Sequence, residues 1–477
     1  MTDLRTRPAR VATPPAAGRT GPLLALVLAG QFMAVLDVSI VNVAVPTIRT
    51  DLHASGAGLQ LVIAGYTIAY AVLLITGARL GARFGHRRMF RLGLAAFTAA
   101  SLACGLAPGT GWLIGFRIGQ GVGAALMVPQ VMSLIQRTLT GPARLRALGL
   151  YSAVLAGGMA VGQLLGGLLV SADLFGTGWR PVFLVNVPIG LALLAVAGRL
   201  LPDLPGDAER RFDLPGLVLL AAALGLLVVP LVLGRELHWP AWCRLMLVGS
   251  VLLSGLFAAV ERRIARRGGQ PLIAGRVLRA PGLLPAAGAI FLIMAGFAGF
   301  MFAFALHQQA GLGHSALLAG LLSGPVAVAF GAASLHWQRL PRRLHRQLPV
   351  QALLLVAPGY VLVGWLLHRG GPVGPAAEAV LTVLGLAAGC AYSPLFGRAL
   401  GRVDPADAAD ASGVMVTVVQ LGQVVGVALI GTVFLGQVDY PATAHASGHA
   451  LLVTVAVIGA GVALASAFAH RTRQTAP

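Results

Sequence analysis

Asp37 sits in the run GQFMAVLDVSIVNVAVPTI (residues 30–48), with apolar side chains around it. A carboxylate there can hold one proton or neutralise one positive charge. A charged side chain at the centre of a membrane helix costs about 2.5–3.5 kcal/mol on insertion scales, so such groups usually serve a function. The other deep charge is Arg117, in RIGQGVGAALMVPQ (117–130), and Gln120 follows it by three residues. That spacing puts the two on one helix face. Burial favours the neutral form of an acid, whereas a nearby guanidinium favours the carboxylate. A group held between those influences changes protonation when its surroundings change, as a proton carrier must. A static ion pair that only fixes packing is the structural alternative.

The remaining polar candidates are uncharged. Asn42, Gln120, Gln163, Gln309, Gln420 and Gln423 could line a cavity for a small molecule or hydrogen-bond between helices. Glu378 and His307 lie at the ends of apolar runs, where solvation and snorkelling are expected. Residues 119–124 match the dinucleotide pattern G-x-G-x-x-A, but they lie inside an apolar helical run with no preceding strand. All 35 basic residues are arginine. Without lysine the chain can build neither a P-loop contact to phosphate nor a Schiff base. Cys104, Cys243 and Cys390 are odd in number and widely spaced, which fits neither a disulfide framework nor a metal cluster. No nucleophile constellation is present, so the expectation is a non-enzyme without metal or cofactor.

The elements that must position Asp37 and Arg117 follow from composition. The chain is 57% hydrophobic and 10% charged, against roughly 25% charged in soluble domains. Apolar runs long enough to span a bilayer, about 17–25 residues each, fall near 22–44, 58–80, 90–107, 111–135, 147–171 and 181–201. Two more fall near 214–234 and 243–263, and six near 283–307, 315–336, 349–368, 374–397, 411–435 and 449–469. The expected count is fourteen. Residues 1–21, rich in Arg and Pro, read as a cytoplasmic tail, and the first run is too long for a signal-peptide core.

Arginine placement supports that layout. With the N-terminus inside, 29 arginines fall on the cytoplasmic side, five outside (Arg49, Arg180, Arg235, Arg244, Arg369) and one, Arg117, within a span. Positive residues favour the cytoplasmic side. The net charge of +20 therefore reports topology and not a nucleic-acid partner. Trp112, Trp179, Trp239, Trp242 and Trp365 fall near expected outer boundaries and Trp337 near an inner one, as interfacial anchors should. Asp37 lies about 21 Å along its helix, at 1.5 Å per residue, and Arg117 enters an inward-running span, so both belong to the outer half.

Several segments carry a family likeness. They are LDVSIVNVAVP, GARLGARFGHRR (77–88), the Arg117 segment, GGMAVGQLLGG (157–167) and WRPVFLVNVPIG (179–190). RRFDLPG (210–216), QAGLGHSALLAGL (309–321) and SGVMVTVVQLGQVVGVALIGTVF (412–434) continue the series. In this order they resemble the signature motifs of the major facilitator superfamily, specifically its fourteen-span drug/proton antiporters. Departures exist: Ala82 and His86 stand where that family's loop usually carries Asp and Arg or Lys, Gln163 where Pro is usual, Pro181 where Trp is common, and Val416 where Asn is frequent. GQLLG (162–166) recurs as GQVVG (422–426), a trace of repeated halves.

The resemblance implies an all-α integral membrane fold of two six-helix halves (22–201 and 271–470), with a linker and two inserted helices between them (202–270). Short tails at 1–21 and 471–477 would be cytoplasmic. It implies proton-coupled export of small amphipathic drugs or natural products across the cytoplasmic membrane, by a monomer whose partners are lipid, substrate and protons. Asp37 would be the protonation site and Arg117 its modulator. Asn42, Gln120, Gln163, Gln309 and Gln420 would line the substrate cavity. Gly77, Gly81, Gly85, Arg87, Gly121, Gly158, Gly162, Gly166 and Gly167 would serve gating and packing, with the span-five glycines as the sliding surface between halves. The alternatives are export of an endogenous metabolite by the same fold, and a non-transporting membrane sensor or scaffold.

Overall fold

The computed structural model describes residues 20–173, 176–203, 206, 213–234, 237, 239–267, 271, 275–404, 408–438 and 443–474. Most of the expected N-terminal tail, much of the 202–213 link and the last three residues lie outside that set. The first seven helices are α1 (Thr20–Asp51), α2 (Gly56–Phe84), α3 (His86–Gly105), α4 (Thr110–Thr138), α5 (Gly141–Ala172), α6 (Pro181–Leu184) and α7 (Asn186–Leu200). A central pair follows, α8 (Leu214–Leu233) and α9 (Ala241–Arg266), then the short α10 (Gly275–Leu278). The later set is α11 (Leu283–Leu306), α12 (Ala316–His336), α13 (Arg342–His345), α14 (Leu348–Leu367), α15 (Pro375–Gly401), α16 (Ala408–Leu435) and α17 (Ala444–Gln474). Among the described residues twelve helices are long and apolar enough to cross a membrane, the α6–α7 pair counting as one. α3 and α5 are also long, but α3 carries Arg87, Arg88 and Arg91 in its first turns.

The packing repeats. α1 lies on α5 and α7, α2 on α4, and α3 on α4 and α7. In the same way α11 lies on α16 and α17, α12 on α15, and α14 on α15 and α17. Pro129 of α4 and Pro394 of α15 each fall nineteen residues past the helix start, as expected of equivalent helices. The GQLLG/GQVVG echo has a physical basis in this packing. A Cβ on Gly162 or Gly166 would lie 2.8 Å from Leu36 O or 2.9 Å from Ile40 O of α1. A Cβ on Gly422 or Gly426 would lie 2.7 Å from Phe291 O or 2.1 Å from Ala295 O of α11. Each glycine pair lets its helix touch the backbone of the first helix in its own set.

That geometry corrects one expectation. Gly158, Gly162 and Gly166 face α1 and not the later helices. Contact between the two sets runs through α5 on α12 and through α16 on α4 and α2; Gly149 abuts Ser334, Gly331 abuts Ala153 and Gly413 abuts Ala78. These contacts lie toward the end of the bundle that carries the arginine-rich connections, called the basic end below. Gly426→Ala should lower thermal stability by about 1–3 kcal/mol, the range for overpacking, because backbone must move. Gly461→Ala, where a Cβ meets nothing within 4 Å, should leave it unchanged or slightly raised. Melting temperatures of the two purified variants check this.

α2 and α4 are joined by close backbone approach at two levels, beside the ion pair and nearer the basic end. A Cβ on Gly77 would sit 1.8 Å from Ala125 O, and one on Gly121 2.4 Å from Tyr66 O, so these glycines seat α2 against α4. Gly85 has φ +96°, which only glycine adopts without strain, and breaks the chain between α2 and α3. The Cβ that Gly81 lacks would overlap Gln130 Oε1, at 1.9 Å. Gln130 Nε2 donates to Gly77 O at 2.8 Å and Leu126 O at 2.9 Å, so its Oε1 accepts from His86 Nδ1 at 2.8 Å. Arg87 donates to Gly198 O of α7. His86 thus ties the start of α3 to α4 by a side-chain hydrogen bond.

Candidate functional site

α1, α3, α4 and α7 bring their polar side chains to one point. Asp37 of α1 and Arg117 of α4 form an ion pair, 0% and 1% exposed. Gln120 Nε2 donates to Asp37 Oδ1 at 3.1 Å, and Asn186 Nδ2 of α7 donates to the same oxygen at 3.0 Å. Gln120 is held by Ser101 Oγ of α3, 2.8 Å from its Nε2. Its Oε1 accepts from Arg117 Nη1 at 2.9 Å and from Cys104 Sγ at 3.3 Å. Arg117 Nε donates to Val62 O at 3.0 Å. The guanidinium carbon lies 4.7 Å from the Tyr66 ring centre and 5.7 Å from that of Phe183, within cation–π range. Three donors therefore face the Asp37 carboxylate, and Arg117 keeps neutral partners besides its counter-ion.

Tyr66 connects this cluster to open space. Its hydroxyl donates to Ala34 O at 3.0 Å, which fixes the ring. The same residue lines a cavity of about 250 Å³ between α1, α2, α8, α11 and α16. The polar lining is Tyr66, Thr67, Tyr70, Gln420, Gln423 and Thr432, and the rest includes Val35, Val38, Leu231, Phe302, Val424 and Val427. None of the described lining residues is charged. Such a space suits an apolar body with a few hydrogen-bonding groups.

The expected site residues separate accordingly. Asp37, Arg117 and Gln120 meet in the ion-pair cluster, while Gln420 faces the cavity. Gln309 is half-buried in the π-helical turn His307–Gly311 and is not among the cavity lining. The side chains of Asn42 and Gln163 lie outside the described residues. Gly167 is buried in α5. Asn186, Ser101 and Tyr66 are site residues that sequence reasoning missed; Asn186 lies within WRPVFLVNVPIG, the segment already singled out.

Two boundary residues correct their expectations. His307 is fully buried, its Nδ1 2.9 Å from Ser447 Oγ, rather than snorkelling. Trp179 is buried, and its Nε1 donates to Asp51 at 2.8 Å, with Arg180 Nη1 donating to the same oxygen at 2.8 Å. The Trp179 hydrogen bond, then that of Arg180, hold the Asp51 carboxyl below the usual carboxylate range. A lowered value in the folded protein adds stability above the ordinary carboxylate range, lost as pH falls through the lowered value. Asp51→Asn should therefore cost less than about 1 kcal/mol at neutral pH, since the pair is open to solvent. Its melting temperature should converge with wild type in strong acid.

Comparison with known proteins places this geometry. Residues 27–427 match the family model described as Major Facilitator Superfamily. The chain is 38% identical over 456 residues to a Streptomyces coelicolor protein named "Probable actinorhodin transporter", covering 94% of this chain and 78% of that one. It is 36% identical to "Cephamycin export protein CmcT" of Amycolatopsis lactamdurans, over 86% of this chain and 84% of that one. It is also 36% identical to "Puromycin resistance protein pur8" of Streptomyces alboniger, over 93% and 88%. The proton:xylose symporter XylE shares the fold, with TM-score 0.65 at 14% identity over 95% of each chain. The human organic anion transporter MFSD10 does so with TM-score 0.64 at 16% identity, over 96% of this chain and all of that one. With its repeated helical packing and its cavity beside a buried ion pair, the chain belongs to the Major Facilitator Superfamily and is a membrane transporter, not an enzyme.

Proposed function

We propose that the chain is a proton-coupled exporter of small amphipathic natural products or drugs. The observation that carries this reading is the placement of Tyr66. Its ring covers Arg117, the partner of Asp37, and also lines an apolar, uncharged cavity. A substrate that presses this ring onto the guanidinium favours the Arg117–Asp37 pair, and with it release of a proton from Asp37. Proton loss and substrate occupancy are then linked through one side chain. When Asp37 takes up a proton, Arg117 retains the Val62 carbonyl, Gln120 Oε1 and two aromatic faces, so the protonated state is tolerated.

The layout we infer has fourteen spans, with α3 and α5 included and α8–α9 inserted between two six-helix halves. The arginine asymmetry supports cytoplasmic termini, a basic end facing the cytoplasm and a site in the outer half. The halves rock about the α5–α12 and α2–α16 contacts, in a monomer of the cytoplasmic membrane. Relatives named for export of, or resistance to, antibiotics support an antibiotic-like substrate. The same names favour, as a second reading, export of a compound made by the host cell itself. The lack of charge in the cavity lining favours neutral compounds over dications. Exchange of a neutral compound for one proton moves net charge, and a membrane potential then contributes about 2.3 kcal/mol per 100 mV. The test is everted vesicles energised by a pH gradient or a potential separately, over a chemically diverse panel. Accumulation of a neutral amphipath driven by either gradient is expected; dependence on neither would remove the proton-coupled reading.

A further inference from the structure

A second cavity lies apart from the transport site, at the basic end. Arg276, Arg279 and Arg402 line one cleft of about 370 Å³ together with Asp404. Arg276 lies on α10, three residues before Arg279, the spacing that sets two side chains on one side of a helical turn. Val277 between them is 1% exposed and anchors the turn in the core. Arg402 comes from another segment, directly after the last residue of α15. Among the described lining residues three guanidinium groups stand beside one carboxylate, an excess of positive side chains.

Depth adds a second constraint. The neighbouring apolar spans begin at Leu283 and end at Gly401, a few residues from Arg279 and directly beside Arg402. The arginines therefore lie where a spanning helix leaves the hydrocarbon, at the level of lipid headgroups. Guanidinium forks match the oxygens of a phosphate in both shape and charge. Basic pockets at that depth bind anionic headgroups.

We propose that this cleft binds the phosphate of an anionic glycerophospholipid, with Arg279 and Arg402 approaching it from two segments. The site is distinct from Asp37 and Arg117, and its test reads binding, so export can fail or succeed independently. The experiment uses the full chain in phosphatidylcholine nanodiscs titrated with phosphatidylglycerol, bound lipid being counted by native mass spectrometry. Affinity should weaken about fivefold per arginine removed, so about 25-fold in an Arg279→Gln/Arg402→Gln variant. Arg402→Lys, which keeps the charge, should stay within about threefold of wild type. Arg342→Gln/Arg343→Gln, at the same end but outside the cleft, should bind as wild type does. Equal binding by wild type and the Arg279/Arg402 variant, or equal loss in the Arg342/Arg343 control, overturns the site. Displacement of the lipid by millimolar inorganic phosphate overturns its assignment to lipid.

Discussion

Asp37→Asn is expected to abolish concentrative export while leaving a folded protein in the membrane. The carboxylate accepts from Arg117, Gln120 and Asn186 in a fully buried site. Asparagine keeps the shape but offers one acceptor oxygen where the carboxylate has two, so its amide nitrogen must face at least one of those donors. Breaking a buried pair from one side commonly costs about 3–5 kcal/mol. The cost here should fall at the low end, because Arg117 keeps the Val62 carbonyl, Gln120 and the two rings. Membrane abundance and a measurable melting transition should therefore persist. Uphill accumulation in vesicles should drop to the level of empty membranes. A variant that still concentrates substrate would move the coupling group elsewhere, with Glu378 next to be tested.

Arg117→Gln should be the more damaging change, and its damage should depend on pH. The substitution leaves Asp37 buried with only the neutral donors Gln120 and Asn186. An ionised carboxylate in that position is uncompensated, whereas a protonated one is not. Stability should thus fall as pH rises and the acid is forced to ionise, by about 3–5 kcal/mol at the alkaline limit. The Asp37→Asn/Arg117→Gln double variant carries no charge and should regain most of that stability without regaining transport. Thermal unfolding of the four proteins across pH completes a double-mutant cycle. A single variant whose melting temperature ignores pH would mean that the two side chains do not titrate against each other.

The central residues were legible because deep charges are costly in membranes, so Asp37 and Arg117 stand out of an apolar sequence. Gln120 followed from helical spacing. Asn186 and Ser101 did not, because neutral polar residues are common in spans and their partners come from other helices, at separations that no local period encodes. Tyr66 was missed for a related reason: its role depends on facing both Arg117 and a cavity, which is a matter of packing. The glycine echo was legible as a repeat but not as a direction. Whether Gly162 faces α1 or the other half depends on the rotation of α5, set by contacts along its whole length. His307 and Trp179 were misread because position along a span was taken for exposure, while neighbouring helix ends cover both.

Linkage between substrate and one proton at Asp37 is the claim on which the account rests, and proton release tests it directly. Purified protein in lightly buffered detergent, at a pH where the site is partly protonated, would receive a compound whose toxicity the chain relieves in cells. The pH change would be calibrated against added acid. Release should approach, at saturation, the fraction of a proton per chain held beforehand, and none should come from Asp37→Asn under the same conditions. Undiminished release from Asp37→Asn, or substrate binding to wild type with no proton released at any pH, would contradict the account.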